Sequence, residues 1–302
     1  MKRLLGSCAV LVLTAPIVFA AEAPVRLTQK PDTLEVTVGG EPFAVYNFGK
    51  NLPKPYFWPV RAPGGSIMTR PLENPKDHKH HRGIWLSVDE VNDIRFWAEK
   101  GKIENVSLKV LASEGDPAKF EVVNHWQGSD GKPVLVETTT ISIFANRVIA
   151  YDIQFTPGDQ NVTFGDTKEG LFGFRMVDSM REKGGDGKVE NAEGLQGTAK
   201  CWGQYSDWVD YSGTVEGQTV GVAVFDHPKN FRRSRYHVRD YGLFSISPFG
   251  EHDYTNGREQ AQLVILPKGK SLRLRYAMYL HAGDTQSAKV AEAYQSYVKA
   301  AE

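Results

Sequence analysis

The chain has 302 residues, with 36 Lys plus Arg against 36 Asp plus Glu, a formal net charge of zero and a pI near 7.1. That balance, without any polybasic run, excludes a nucleic-acid binder working by counterion release. Hydrophobic residues at 41% and charged residues at 24% describe ordinary globular material, and the one long apolar stretch lies at the N-terminus, which excludes a polytopic helical membrane protein.

At that N-terminus, Lys2 and Arg3 precede an apolar run from Leu4 to Ala20 that closes Val18-Phe19-Ala20-Ala21. A positive start, an apolar middle and small residues at the end describe a secretory signal peptide over residues 1–20, so the protein is expected to be periplasmic or secreted. Pro16 and the shortness of the run speak against a membrane anchor. Residues 21–302 read as a single domain, with no Pro/Ser-rich linker dividing them. Loss of Cys8 with the signal leaves Cys201 alone, so no internal disulfide forms and the thiol is expected to be buried and inert.

Alternating Leu34-Glu35-Val36-Thr37-Val38, the turn Gly39-Gly40 and the returning Phe43 to Tyr46 predict a hairpin. The Pro- and Gly-rich stretch from Asn51 to Arg70 reads as irregular loop, and Ile84 to Val88 as a strand. Strands follow over 106–111, 120–126, 134–144 and 148–155, joined by Ser129-Asp130-Gly131-Lys132-Pro133 and Ala145-Asn146-Arg147. The β-branched run from Val134 to Ile143 suits a pleated, half-buried surface. Glu182 to Gly197 reads as a long surface loop, and later strands fall over 219–225, 243–246, 261–266 and 272–280. Only 285–300 looks helical, with Ala288, Ala291, Tyr294 and Val298 at three- and four-residue steps. Many strands and one terminal helix predict an all-β fold, a large antiparallel β-sandwich with a C-terminal helix.

Three of the eight histidines fall within Asp77-His78-Lys79-His80-His81-Arg82-Gly83-Ile84-Trp85, at the start of a strand. In an extended chain His78 and His80 point one way and His81 the other, which makes His78 and His80 candidate ligands of a divalent metal. Acid–base use of an imidazole and a solvated polar loop are the other readings. In the segment Gly165 to Arg175, glycines flank Asp166 and Glu169, so a carboxylate there faces a pocket, or Asp166 caps its own turn. Asp226-His227 ends a strand and opens a segment with Arg232, Arg233, Arg235 and Arg239, suited to gripping a carboxylate or sulfate, or to surface ion pairs. Trp202, Tyr205, Trp208 and Tyr211 crowd one turn-rich segment, and Trp58, Trp85 and Trp97 flank the histidines; such rings stack on sugars or pack in the core.

Together, Arg70, Asp77 to Trp85, Val91-Asn92, Phe96-Trp97, Thr167-Lys168-Glu169-Gly170, Trp208-Val209-Asp210-Tyr211-Ser212-Gly213, Asp226-His227-Pro228-Lys229-Asn230 and Arg239-Asp240-Tyr241-Gly242 resemble one group of secreted bacterial proteins, labelled methane oxygenase PmoA-like. A methane monooxygenase subunit is multi-spanning, and this chain has no long apolar stretch inside it. The group is similar instead to the galactose-mutarotase-like β-supersandwich proteins, which include aldose epimerases, polysaccharide lyases and domains of glycoside hydrolases. That resemblance implies the supersandwich fold and, by analogy alone, a carbohydrate or glycoside substrate. The expected function is a secreted carbohydrate-active enzyme of hydrolase, lyase or epimerase type, with His80, His81, Glu169 and His227 as catalytic residues. Arg82, Asp166, Arg175, Trp85, Trp208 and Arg239 are expected to bind substrate. No cofactor is required, a divalent metal at His78 and His80 being the option that stays open. A non-catalytic glycan-binding protein and a metal-dependent enzyme using the histidine cluster are the competing readings.

Overall fold

The computed structural model describes residues 24–73 and 75–301, so the segment read as a signal peptide lies outside the described residues. The strands assemble into two large sheets of nine and eight strands and a small one of four, and every pairing among the described residues is antiparallel. Strands Ala118–Gln127 and Pro133–Ile143 alternate buried and half-exposed residues, the period of two that leaves one face covered. Phe120, Ile141, Ile153 and Leu274 from the eight-stranded sheet meet Leu34, Val36, Ile84, Phe172, Phe174 and Phe244 from the nine-stranded one in a single hydrophobic cluster. The all-β sandwich with a C-terminal helix expected from the pattern is the observed architecture.

The helix, Val290–Ala300, buries Val290, Tyr294 and Tyr297, one stripe at helical spacing. They pack on Trp208, Ala223, Phe225 and Ala277, on the outer face of the eight-stranded sheet. It starts later than residue 285 because Ser287 closes a turn on the Asp284 carboxylate, and Lys289 takes a left-handed φ of 52°.

Other stretches also depart from the sequence reading. The expected loop from Asn51 to Arg70 contains the strand Tyr56–Val60, paired between Glu41–Asn47 and Ile84–Leu86. Pro59 offers no N–H there, and the ladder tolerates it because its register already shifts between Ala44 and Tyr46. The surface loop expected over 182–197 carries the edge strand Lys188–Asn191. The turn-rich segment from Cys201 runs into the strand Trp208–Val215, paired along its length with Gln218–Asp226. The strand expected over 261–266 is confined to Val264–Leu266.

Candidate functional site

In the strands Ile84–Leu86, Phe172–Arg175, Arg235–Val238 and Leu243–Ser247, the side chains of Ile84, Leu86, Phe172, Phe174, Tyr236, Val238, Phe244 and Ile246 enter the core between the sheets. The residues between them face away from the second sheet. Register places Trp85 opposite Tyr56 and Gly173, Gly173 opposite Ser245, and Ser245 opposite His237. One row across the outer face therefore runs Tyr56, Trp85, Gly173, Ser245, His237, with Arg175 on the next outward position of its strand. Gly173 lets the Trp85 indole lie across it: a Cβ there would stand 2.8 Å from the ring.

The three clustered histidines do not alternate as in an extended chain. The His81 N–H donates to the His78 carbonyl at 2.9 Å, a turn that brings rings three residues apart together. His78 and His81 stack at 4.6 Å with planes 3° apart, and His80 packs edge-on to them at 5.5 and 4.5 Å. The turn forms because His78 and Gly83 adopt left-handed backbone, with φ of 39° and 60°. Only glycine serves at position 83, since a Cβ would fall 1.9 Å from the Phe57 carbonyl oxygen. Trp85 backs His81 at 5.3 Å, and Tyr241 stacks on His78 at 5.4 Å.

Fixed charges orient His81. Arg175, fully buried, donates from Nη2 to both Asp77 oxygens at 3.2 and 3.1 Å, and its Nη1 lies 3.3 Å from His81 Nδ1. Arg70 also binds Asp77 and donates to the carbonyls of His78 and His81. A guanidinium only donates, so Nδ1 of His81 accepts and the ring proton resides on Nε2. That Nε2–H is buried with no acceptor among the described residues. Burial, reinforced by His80, His78 and Arg175, holds His81 far below the usual imidazole range, and His80 is lowered to about 4, chiefly by burial. Both are neutral at pH 7. The ligating atoms of His78, His80 and His81 lie within 4.8 Å of one another, a spacing that could hold a metal ion. The parallel rings of His78 and His81 share no in-plane point, however, so joint ligation requires exposed His78 to rotate and Arg175 to release Nδ1.

Glu169 enters from the loop before Phe172–Arg175, and its Oε2 stands 4.0 Å from His237 Nδ1. That Nδ1 is 3.0 Å from the Lys168 carbonyl oxygen. A carbonyl only accepts, so His237 carries its proton on Nδ1 and presents Nε2 as a lone pair, the reverse of His81. Burial lowers His237 to about 3 and raises Glu169 above the carboxylate range. The two groups belong to one patch: Tyr241, stacked on His78, lies under Arg175 at 4.9 Å and Arg239 at 5.6 Å and feels the Glu169 charge. The His78 charge in turn disfavours protonation of His237. Beside them opens a cavity of about 500 Å³ walled by Lys168, Trp202, Arg239, His252, Asp253 and Asn256, with Trp202 edge-on to His237 at 6.3 Å.

A sequence model described as a family of unknown function (DUF6807) matches residues 33–295. The chain belongs to the DUF6807 family. Its description names no activity, and the methane-oxygenase wording of the resemblance does not occur in it. No curated protein matches the sequence. Among solved structures, the chain is similar to a β-arabinopyranosidase at 12% identity and a TM-score of 0.36, covering 85% of this chain and 38% of that one. It is similar to the galactose 1-epimerase from Lactobacillus acidophilus NCFM at 10% identity and a TM-score of 0.40, covering 88% of this chain and 100% of that one. The GalM/aldose epimerase homologue from C. elegans matches at 6% identity and a TM-score of 0.39, over 87% and 100% of the two chains. At these scores the likeness says nothing about activity.

In this DUF6807 chain, then, His78, His80, His81, Glu169, Arg175 and Arg239 come together, and Trp85 lies buried behind His81 instead of forming an exposed floor. Arg82 turns to Glu99 at 3.0 Å, a carboxylate shared with buried Lys54, whose Nζ also donates to the His80 carbonyl at 2.8 Å. Asp166 accepts the backbone N–H groups of His252 and Gln262 at 3.0 and 2.7 Å, fastening the cavity wall. His227 and Trp208 do not join the patch. Trp208 is buried under the C-terminal helix, and His227 packs against Tyr297 of that helix at 5.6 Å, across the sandwich from the histidine cluster. The strand before His227 belongs to the other sheet, which carries that segment away. Sequence reasoning misses His237, gives Tyr241 no role and offers Trp202 only as one of several rings for stacking or core packing; the alternation Arg235-Tyr236-His237-Val238 is the signal that turns His237 outward.

Proposed function

We propose that this patch carries out proton-transfer chemistry on a sugar or glycoside. The observation that carries the reading is two buried, neutral imidazoles held in opposite tautomers on one face, His237 standing 4.0 Å from a carboxylate whose pKa is raised. Glu169 moves the proton, since burial shifts it toward the pH at which a general base works. His81 Nε2–H donates to the substrate oxygen on which negative charge develops, a role a neutral imidazole fills as a hydrogen-bond donor and not as an imidazolium acid. His237 Nε2 accepts from a substrate hydroxyl and fixes its orientation. Trp202 offers an aromatic surface to the apolar side of a sugar ring, and a cavity of about 500 Å³ suits one or two sugar units. Asp166 is occupied by two backbone N–H groups, which favours carboxylate–imidazole chemistry, as in epimerisation or elimination, over hydrolysis by two carboxylates.

The test is a panel of fresh aldose anomers and glycosides followed by NMR in D₂O, with wild type and Glu169→Gln. Anomer interconversion, exchange of carbon-bound hydrogen or bond cleavage is expected with wild type, reduced about 100-fold or more in the variant while affinity is kept. Sugar binding without reaction would make the protein a glycan-binding module, and no binding at all would remove the sugar. A second reading, favoured by the 4.8 Å spacing, places a divalent ion among His78, His80 and His81. Elemental analysis after metal-supplemented expression decides it: one ion per chain, lost in His80→Ala, supports the ion.

A further inference from the structure

The wall of the cavity beside Glu169 carries more cationic and donor groups, Lys168, Trp202, Arg239 and His252, than acceptors, Asp253 and Asn256. Of the four arginines between 232 and 239, Arg233 is paired with Asp207 and Asp226, Arg235 with Glu251, and Arg232 lies over the Phe231 ring. Arg239 alone lines the cavity. It has no carboxylate within ion-pair distance among the described residues, its side chain meeting only the Tyr241 face. Lys168 reaches Asp253 at 3.7 Å, and that carboxylate also accepts the Lys168 backbone N–H at 3.2 Å and faces His252 at 3.7 Å. The Trp202 indole N–H is buried without an acceptor among the described residues. A buried donor left unpaired costs free energy, and one at the wall of a cavity is satisfied by what enters that cavity, a ligand group or ordered water. Glu169 forms no contact ion pair with an arginine among the described residues; the Arg239 charge acts on it only through space, which leaves the guanidinium without a carboxylate partner.

We infer that the sugar carries an acidic group, a carboxylate or a sulfate, which seats on the Arg239 guanidinium with Lys168 and the Trp202 N–H as flanking donors. This inference rests on the sugar reading above and names its substrate class. A guanidinium presents parallel N–H groups to a planar or tetrahedral oxyanion, which a neutral hydroxymethyl group cannot match. A carboxylate seated there turns the ring carbon that bears it toward Glu169, where the hydrogen acidified by the carboxyl group is the proton-transfer partner; with a sulfate, which acidifies no carbon-bound hydrogen, the partner is a glycosidic or hydroxyl oxygen.

The test is calorimetric titration of the full chain with paired probes differing at one carbon: glucose against glucuronate and glucose 6-sulfate, and galactose against galacturonate and galactose 6-sulfate. At least one acidic probe is expected to bind about tenfold or more tighter than its neutral partner, a margin of about 1.4 kcal/mol. The preference is expected to shrink with added salt and to collapse in Arg239→Gln, while Glu169→Gln retains it. The better of the two acids identifies the oxyanion. Equal affinity for acidic and neutral partners would overturn this inference and leave the sugar reading standing. Failure of every probe to bind would overturn both. A preference that survives Arg239→Gln, with the variant's melting temperature unchanged, would move the acidic group elsewhere and overturn the assignment.

Discussion

Replacing Arg175 with methionine removes the group that fixes the His81 tautomer. Three hydrogen bonds disappear, two to Asp77 and one to His81. Asp77 retains Arg70 and has a side chain 45% exposed, so water substitutes there at little cost. His81 Nδ1 has no such recourse, and stripping a buried acceptor of its donor costs about 1–3 kcal/mol. Part of that is returned, because Arg175 is itself a buried cation, lowered to about 10 by burial and by neighbouring Arg70. The net expectation is a smaller loss, about 0.5–2 kcal/mol in unfolding free energy, read from urea midpoints. The sharper consequence is tautomeric. A bond worth about 1.4 kcal/mol holds a tenfold excess of the Nε2–H form, and its removal lets the ring relax toward a mixture. Long-range ¹H–¹⁵N spectra of histidine-labelled protein at pH 7.5 read this directly. His81 in wild type should show an unprotonated Nδ1 and a protonated Nε2, moving toward averaged shifts in Arg175→Met. A wild-type His81 protonated on Nδ1, or a spectrum unchanged by the substitution, would refute the reasoning.

Gly173→Ala should force the Trp85 indole from its place, because the new Cβ meets three ring atoms at 2.8–3.0 Å and Trp97 packs behind at 4.9 Å. A destabilisation of about 1–3 kcal/mol is expected in urea at unchanged m-value, and an unchanged midpoint would contradict the packing. For Glu169, a folded pKa raised by burial means that the base form appears only as pH climbs through that higher value. The acidic limb of kcat/KM is therefore expected above that of an ordinary carboxylate and absent from Glu169→Gln; a limb near 4 would assign the base elsewhere. Asp226, raised by burial from 3.8 to about 6, binds its proton more tightly folded than unfolded, so its contribution is complete below 3.8 and lost as pH rises to about 6. Over that interval the unfolding free energy of Asp226→Asn should gain on wild type, and a constant difference would show that the carboxyl does not titrate there.

The long strands were legible because a sheet with one covered face writes its period into the sequence, as in Val134 to Ile143. Tyr56–Val60 was not, since Pro59 and its Pro/Gly-rich surroundings carry the composition of a loop while register with Glu41–Asn47 and Ile84–Leu86 supplies the pairing. At the site, composition was enough to locate the histidine segment and Glu169. Their geometry was not readable, because a turn between His78 and His81 reversed the alternation an extended chain imposes. In sequence His227 stood out over His237 in the same Arg-rich segment, because it follows Asp226 at the end of a strand. They separate only through strand order, with His237 on the nine-stranded sheet beside Ser245 and His227 at the end of a strand in the other. The tautomers of His81 and His237 depend on Arg175 and the Lys168 carbonyl, partners that no local pattern announces.

Whether the segments near 80 and 169 act on one substrate is asked most directly by a double-mutant cycle in kcat between His81→Phe, which keeps the ring stack and removes the N–H, and Glu169→Gln. Groups that serve one step lose their effects together, so with each single variant down about 100-fold the double should fall within about tenfold of the slower single. Losses that multiply to about 10,000-fold, or a single variant that turns over like wild type, would show that the two groups do not work as a unit and contradict a shared step.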